Sequence, residues 1–456
     1  MSFSVSRLGA LGLARHRLSI SIWFLELLYM HHLLVTLGSH GDVHPFVGLG
    51  MRLRQRGHRV TLAANRVFQP VVEKAGLEFA ELGTEDDFHA ALHHPDLWHP
   101  RKGFRAVFEF SVQPMMRPAF ELIQRFAAEG DLVVTAHAIA FGARIAQEKL
   151  GVPLASVHLA PCVMRGAYCP PKLTPSNFMN YLPAWMNRCL FRIVDGLVID
   201  PLLAKPINVF RAELGLPPVK RIIDEWWMSP QRVIGLFPDW FAPPQVDWPP
   251  QLRLTGFPLF DERTHHELAT ELKDFLAVGP PPVVFTFGSA MTQAADQFAA
   301  SIAACQQSGR RGLLLARHSD QLPSSLPPGI LHVPYAPFSE LLPHCAVLVH
   351  HGGIGTTAQA LAAGVPQLVV PFAHDQFDNA ERVKRLGCGI ELSQSKYQPR
   401  LIAKTLEQLI GDPAISSQCQ TIAQRMRQDD PVDTACDWIE RLDNSRNFIA
   451  TASSDG

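Results

Sequence analysis

The segment HHGGIGTT, His350 to Thr357, carries residues for two different chemistries. Adjacent histidines could hold a metal, while glycines between the apolar run AVLVH and the helix-like AQALAAG could cradle a phosphate. Strand geometry separates the two. Successive side chains on a strand point to opposite faces, so His350 and His351 suit one shared metal poorly, and no second ligand cluster lies nearby in sequence. Gly352, Gly353 and Gly355 let the backbone approach an anion closely. Thr356 adds a hydroxyl donor, and a histidine adds a further donor or a positive charge. The expectation is phosphate binding without a metal, with His350 facing away from its neighbour as structure. A second histidine-rich stretch, DDFHAALHHPDLWHP (Asp86 to Pro100), sets His89 and His93 four apart. It has no HExxH pattern and no cysteine partner, and Pro95 and Pro100 suit a loop over a cleft better than a metal site.

Such a phosphate loop needs a strand before it and a helix after it, and the chain supplies these repeatedly. LLVTL (Leu33 to Leu37) ends in Gly38-Ser39, and VVFTF (Val283 to Phe287) ends in Gly288-Ser289. After the first run come Pro45 at a plausible first helical position, the helical pattern FVGLGMRLRQRG and a second strand, HRVTLAA, which together make a βαβ unit. DLVVTA and VPLASVHL follow, separated by the helical AIAFGARIAQEKLG. In the second half GLLLA, LHV, AVLVH and QLVVP repeat the rhythm. Short continuous apolar runs alternating with helices predict buried parallel strands, hence two tandem doubly wound α/β domains. Trp226 to Pro282, dense in proline and aromatics, reads as rigid extended connection, with the boundary near Phe257. Residues 165–225 interrupt the strand rhythm with helix-like sequence rich in Phe, Met and Trp, either extra helices on the core or the wall of an apolar pocket.

Composition narrows the partners. A chain of 456 residues exceeds one core and favours two domains of roughly 200 residues. Lys plus Arg number 41 against 42 Asp plus Glu, with no polybasic run, so nucleic acid is excluded as an expected partner. Apolar residues are 47% and charged residues 18%, which leaves apolar surface for a core or for a greasy ligand. The eight cysteines are scattered with no CxxC pair, pointing to a reducing, cytoplasmic compartment. Residues 1–29 hold Arg7, Arg15 and Arg17 before LSISIWFLELLYM, but Glu26 interrupts that run and no small-residue cleavage site follows. They are expected to be a non-native or disordered extension, with folding beginning near Met30.

PYAPFSELLPHCAVLVHHGGIGTTAQALAAGVPQLVVPFAHDQFDNAERVKRLGCG resembles the nucleotide-sugar signature of the family 1 glycosyltransferases of GT-B fold, and GSHGDVHPFVGLG is similar to the start of their sterol and antibiotic glucosyltransferase branch. Within the family, the rhamnosyltransferases of rhamnolipid biosynthesis are the most similar in pattern, from near Met30 to about residue 440. The resemblance implies an acceptor-binding Rossmann-like domain over 30–256, a nucleotide-sugar-binding one over 257–430, an interdomain cleft, and a C-terminal helix with tail over 431–456 returning to the first domain. It implies that Tyr335 stacks on the base and the backbone of Ala336 reads its edge. His351, Gly353, Gly355 and Thr356, with Gly288 and Ser289, would hold the diphosphate. Gln359 stands where many UDP-specific members carry a ribose-binding glutamate, which permits a deoxyribose nucleotide. Asp375 and Gln376 would grip the sugar, or cap the helix that follows. Gly38, Gly41 and His44 would line the cleft.

Transfer to a hydroxyl with inversion requires a base across the cleft from the diphosphate, and the resemblance assigns Asp42, with His40 and His44 as rivals and helix stabilisation as its alternative role. The expected activity is inverting, metal-independent hexosyl transfer from dTDP-rhamnose or UDP-glucose, a substrate rather than a cofactor, to a hydroxyl of an apolar, lipid-like acceptor. Peripheral attachment at the inner membrane face and a partner subunit are compatible with it. A catalytically silent GT-B scaffold or activator, and a nucleotide-sugar epimerase, are the alternatives.

Overall fold

The computed structural model describes residues 30–261, 268–288 and 291–452, so the expected extension 1–29 and Ser289 lie outside the described residues. Strands β1 (His31–Val35), β2 (Arg59–Ala64), β3 (Glu78–Glu81), β4 (Leu132–His137), β5 (Leu154–His158), β6 (Arg232–Gly235) and β7 (Leu252–Leu254) form a parallel sheet in the order β3-β2-β1-β4-β5-β6-β7. A second parallel sheet contains β8 (Val283–Thr286), β9 (Gly312–Leu315), β10 (Ile330–Val333), β11 (Val347–His350), β12 (Gln367–Val369) and β13 (Gly389–Glu391), in the order β10-β9-β8-β11-β12-β13. Both are doubly wound Rossmann-like sheets. In each, the chain reverses its direction of travel at the first strand, between β1 and β4 and between β8 and β11. Crevices at the carboxyl ends of such strands are where open α/β sheets bind ligands.

The apolar runs form these strands because both faces are covered. Leu33 and Val35 pack into one layer, Leu34 into the opposite one, and all three are fully buried. The same division holds for β11, where Val347 and Val349 face one layer and Leu348 the other. Two expectations change. Pro45 does not open its helix: the helix spans His40–Gln55, Ser39 is its N-cap, and Pro45 lies inside it. Ser39 supplies the start signal, and Asp42 falls in the first turn, where a carboxylate opposes the positive helix end. The proline-rich stretch is more than connection, since it contributes β6 and β7 to the first sheet.

Residues 165–225 form short helical turns and two longer helices, Ala184–Val194 and Asp200–Glu213. The second buries Leu203, Ile207 and Phe210 in the first domain, whereas the first leaves Trp185, Ile193 and Val194 exposed. The final helix, Pro431–Ala452, crosses back onto His40–Gln55. It buries Ala435, Cys436, Ile439 and Leu442 in the first domain's core. Arg52 bonds Asp430 and Asp433 at 2.9 and 2.7 Å, and Arg56 meets Asp433, Asp437 and Glu440 at 2.5, 2.8 and 2.7 Å. No helix among the described residues is long and apolar enough to cross a membrane.

Candidate active site

The loop after β11 is built around the split between its two histidines. His350 is fully buried, its Nε2 lies 2.9 Å from Gln367 Oε1, and its Nδ1 accepts the Gly352 N–H at 3.1 Å. An amide oxygen only accepts and a backbone N–H only donates, so the proton sits on Nε2 and the ring is neutral. Burial agrees, lowering its pKa to about 3. His350 thus braces the turn, as alternation predicts. His350→Ala should cost about 1–3 kcal/mol of unfolding free energy, because Gln367 loses its buried partner, and denaturant titration would measure it.

His351 has other neighbours, its ring centroid lying 6.4 Å from that of His350. It nests against two glycines. A Cβ on Gly288, where φ is +98°, would come within 2.9 Å of the ring, and one on Gly353 within 2.6 Å of Nε2. Burial lowers its pKa to about 4, so at neutral pH it offers a hydrogen bond and not the positive charge that the sequence left open. Its Nδ1 is buried with no hydrogen-bond partner among the described residues. A buried nitrogen in that condition is costly unless something bonds it or fixes the ring's tautomer. Beside it the helix Ile354–Ala363 begins. Thr356 is half-buried there, Gly355 is exposed, and a Cβ on Gly355 would meet nothing within 4 Å. Unbonded helix N–H groups facing open space are suited to an anion. Gln359, half-buried, lies one turn further along that helix. Tyr335 and Ala336 precede the short helix Phe338–Leu341, the first partly exposed and the second buried.

The loop after β12 carries Asp375 and Gln376, which the structure uses differently. Gln376 is buried, and its Oε1 accepts the N–H groups of Phe372 and Ala373 at 2.7 and 3.1 Å. A two-handed grip on a sugar by Asp375 and Gln376 is therefore reduced to Asp375 plus the Gln376 amide hydrogens. Asp375 does not cap the helix Gln376–Arg385 with its side chain; it accepts from Asn379 Nδ2 at 2.7 Å. The same Asn379 amide donates to Gly352 O at 2.8 Å, tying the loop after β11 to Asp375. Burial raises the Asp375 pKa to about 7, the Asn379 bond opposes this, and the Asp42 charge adds to it. The folded value lies above the ordinary 3.8, so stability is lost as pH rises between about 4 and 7. The melting-temperature advantage of Asp375→Asn over the parent should grow across that window and level off above it.

Asp42 faces this wall from the first sheet. Its Oδ2 accepts from the Ser39 N–H at 2.7 Å and the Ser39 hydroxyl at 3.1 Å, while Oδ1 accepts no hydrogen bond among the described residues. Helix stabilisation and an available oxygen therefore coexist. Gly38, at φ +117°, makes room for it: a Cβ there would fall 2.3 Å from Oδ2. Burial lowers the pKa of His137 and His374, an effect that the Asp42 charge partly opposes, and the same charge adds to the burial-driven rise at Asp375, so Asp42 acts on groups of both domains. Of the rivals, His40 contacts Arg317 of the second domain at 2.9 Å, and His44 stacks edge-on between His40 and Phe260. Gly41, beside Asp42, is exposed.

Sequence reasoning missed His137, His374, Asn379 and Arg317. His137 ends β4 next to β1, and its Nδ1 lies 3.1 Å from Leu37 O. His374 adopts φ +57° and spans the cleft, its Nε2 2.9 Å from Leu97 O and its ring edge-on to Trp98. The Asp86–Pro100 stretch thus begins in the helix Glu85–Leu92 and reaches the opposite domain through Leu97 and Trp98. His89 and His93 stack on each other, and among the described residues no three metal-ligating side chains converge.

Two Rossmann-like sheets with their switch-point loops facing across a cleft define the GT-B fold. Comparison with known proteins agrees. Residues 32–168 match the glycosyltransferase family 28 N-terminal domain, and residues 313–440 match the C-terminal domain of proteins like erythromycin biosynthesis protein CIII. The chain is 32% identical to the O-mycaminosyltylonolide 6-deoxyallosyltransferase of Streptomyces fradiae, over 92% of this chain and 99% of that one. It is 28% identical to the sterol 3-beta-glucosyltransferase of Pichia angusta, over 92% of this chain but 34% of that longer protein. Among solved structures, the kitacinnamycin glycosyltransferase superposes with a TM-score of 0.68 at 21% identity, covering 91% of this chain and 98% of its own. The glycosyltransferase VinC, solved with dTDP, gives 0.65 at 20%, covering 91% and 100%. The chain belongs to the family of antibiotic and sterol glycosyltransferases and is a nucleotide-sugar-dependent enzyme.

Proposed function

We propose that the protein is an inverting, metal-independent hexosyltransferase that moves rhamnose or glucose from dTDP or UDP to a hydroxyl of an apolar acceptor in the cytoplasm. The observation that carries this reading is that the first switch point, which bears Asp42, and the second domain's loops meet across the cleft, His40 contacting Arg317 at 2.9 Å and His374 contacting Leu97 O at 2.9 Å. In a single displacement the acceptor oxygen bonds to the anomeric carbon as the bond from that carbon to the diphosphate oxygen breaks. The hydroxyl proton passes to Asp42. An aspartate is ordinarily a weak base, so it acts late, once the attacking alcohol has acidified. The departing diphosphate receives hydrogen bonds from neutral His351, Thr356 and the helix amides, donors already oriented before reaction. Asp375 holds sugar hydroxyls, Tyr335 stacks on the base, and Gln359 meets the ribose. A silent scaffold or an epimerase gains no support, since the residues expected for transfer are all present.

The donor is tested by thermal shift with dTDP-rhamnose, UDP-glucose and UDP-glucuronate. A ligand at about 100 times its Kd stabilises by about 2.7 kcal/mol, so the true donor should raise the melting temperature by several degrees. Indifference to every nucleotide sugar would sink the reading.

A further inference from the structure

A surface helix normally turns its apolar stripe inward, and Ala184–Val194 does the reverse. Its buried residue is Asn187, whose amide donates to Ala167 O and Met179 O at 2.9 and 3.0 Å. Tyr181, Trp185, Ile193 and Leu197 follow at intervals of four or eight and are exposed, to 81% for Tyr181, 64% for Trp185 and 75% for Leu197. With Val194 and Val198 they mark out a broad outward apolar band over the turn Phe178–Tyr181, the helix and the π-helical turn Asp195–Ile199. Arg188 and Arg192 are exposed beside that band. Arg188 lies over the Tyr168 ring at 5.1 Å, and Arg192 has no ion-pair partner among the described residues. From Tyr168 to Ile199 the sole carboxylate is Asp195, buried against Arg165. Asp247, 3.7 Å from Arg188, is an exposed residue at the edge of this face whose side chain is turned inward, 20% exposed, and accepts the Ala167 N–H, so Arg192 is the less compensated of the two cations.

We propose that this face docks on the surface of an anionic lipid bilayer, with Trp185, Ile193 and Leu197 entering the headgroup boundary and Arg188 and Arg192 meeting lipid phosphates. Apolar residues flanked by arginines, with no exposed carboxylate in the segment, complement such a surface in both polarity and charge. A second copy of the chain fits less well, because a twofold contact centred on this band would set Arg188 and Arg192 against their own counterparts. The same segment reaches the cleft. The Lys172 N–H donates to Asp378 Oδ1 at 3.0 Å, on the helix that begins at Gln376, and its Nζ pairs with Glu391 at 2.6 Å. Docking would therefore bring an acceptor dissolved in the bilayer to the side of the enzyme that needs it. The polarity and charge of this face do not depend on donor or acceptor identity.

The test is co-sedimentation of the purified full-length protein with phosphatidylcholine vesicles, with and without phosphatidylglycerol. Binding is expected to the anionic vesicles, weakened about 5-fold by Arg192→Gln and about 10-fold or more by Trp185→Ser with Leu197→Ser. These side chains are exposed, so the melting temperature should stay that of the parent, confirming that the variants fold. Failure to bind anionic vesicles, or binding that neither variant weakens, overturns the proposal. So does a dimer in solution that the Trp185 and Leu197 substitutions dissolve, which would give the face to a second copy.

Discussion

Asp42→Asn should lower kcat by about 10²- to 10⁴-fold while leaving the donor-induced thermal shift intact. The substitution keeps the shape of the side chain, and an amide oxygen can still accept from Ser39, which spans 2.7 Å from its N–H to Oδ2. The start of the helix His40–Gln55 is thereby retained, and any loss of stability should stay below the roughly 1 kcal/mol expected for a lost cap. Asp42→Ala should show both effects together. That contrast separates proton transfer, the role proposed for Asp42, from its support of the helix start. If Asp42→Asn retains parental turnover, the base is another residue, and His137 is first in line, since it shares the Asp42 field at the end of β4.

His351→Ala should fail in a different way. It should lower kcat by about 10²- to 10³-fold and also weaken the donor-induced thermal shift, because the imidazole would meet the diphosphate before and during its departure. The ring is neutral, with a pKa lowered by burial to about 4. The parent enzyme's rate should therefore show no inflection from this group between about pH 5 and 8. A folded value below the ordinary 6.5 also means that stability is lost as pH falls from about 6.5 toward 4, and His351→Ala should lose less over that window. Chemical denaturation at several pH values would measure the difference. An inflection near pH 6.5 that disappears in the variant would contradict the buried, neutral assignment.

Most strands that can be read from the sequence are covered on both faces, with LHV of the edge strand β10 as an exception and the buried VIG of β6 hidden among prolines. β1 and β11 present continuous apolar runs because neighbours pack against each side. EFAE, LRL and GIE, which form β3, β7 and β13, lie at sheet edges, where exposed residues break the run and leave no signal. Pro45 misleads for a different reason. Proline is favoured at a helix start, yet here it sits inside a helix whose start is set by Ser39. In the site, the division of His350 from His351 is legible because it depends only on strand alternation. His137, Asn379 and Arg317 are not, since their partners lie 100, 27 and 277 residues away and only the folded chain brings them together.

The ladder of acidic groups on Pro431–Ala452 against Arg52 and Arg56 affects how this enzyme can be recombined. A hybrid that takes its donor half from a relative by a single crossover near residue 257 also imports a foreign last helix, which must cover Leu49 and Leu53 and satisfy both arginines. Exchange of donor specificity therefore requires two junctions, the second just before Pro431, so that the final helix travels with the half it covers.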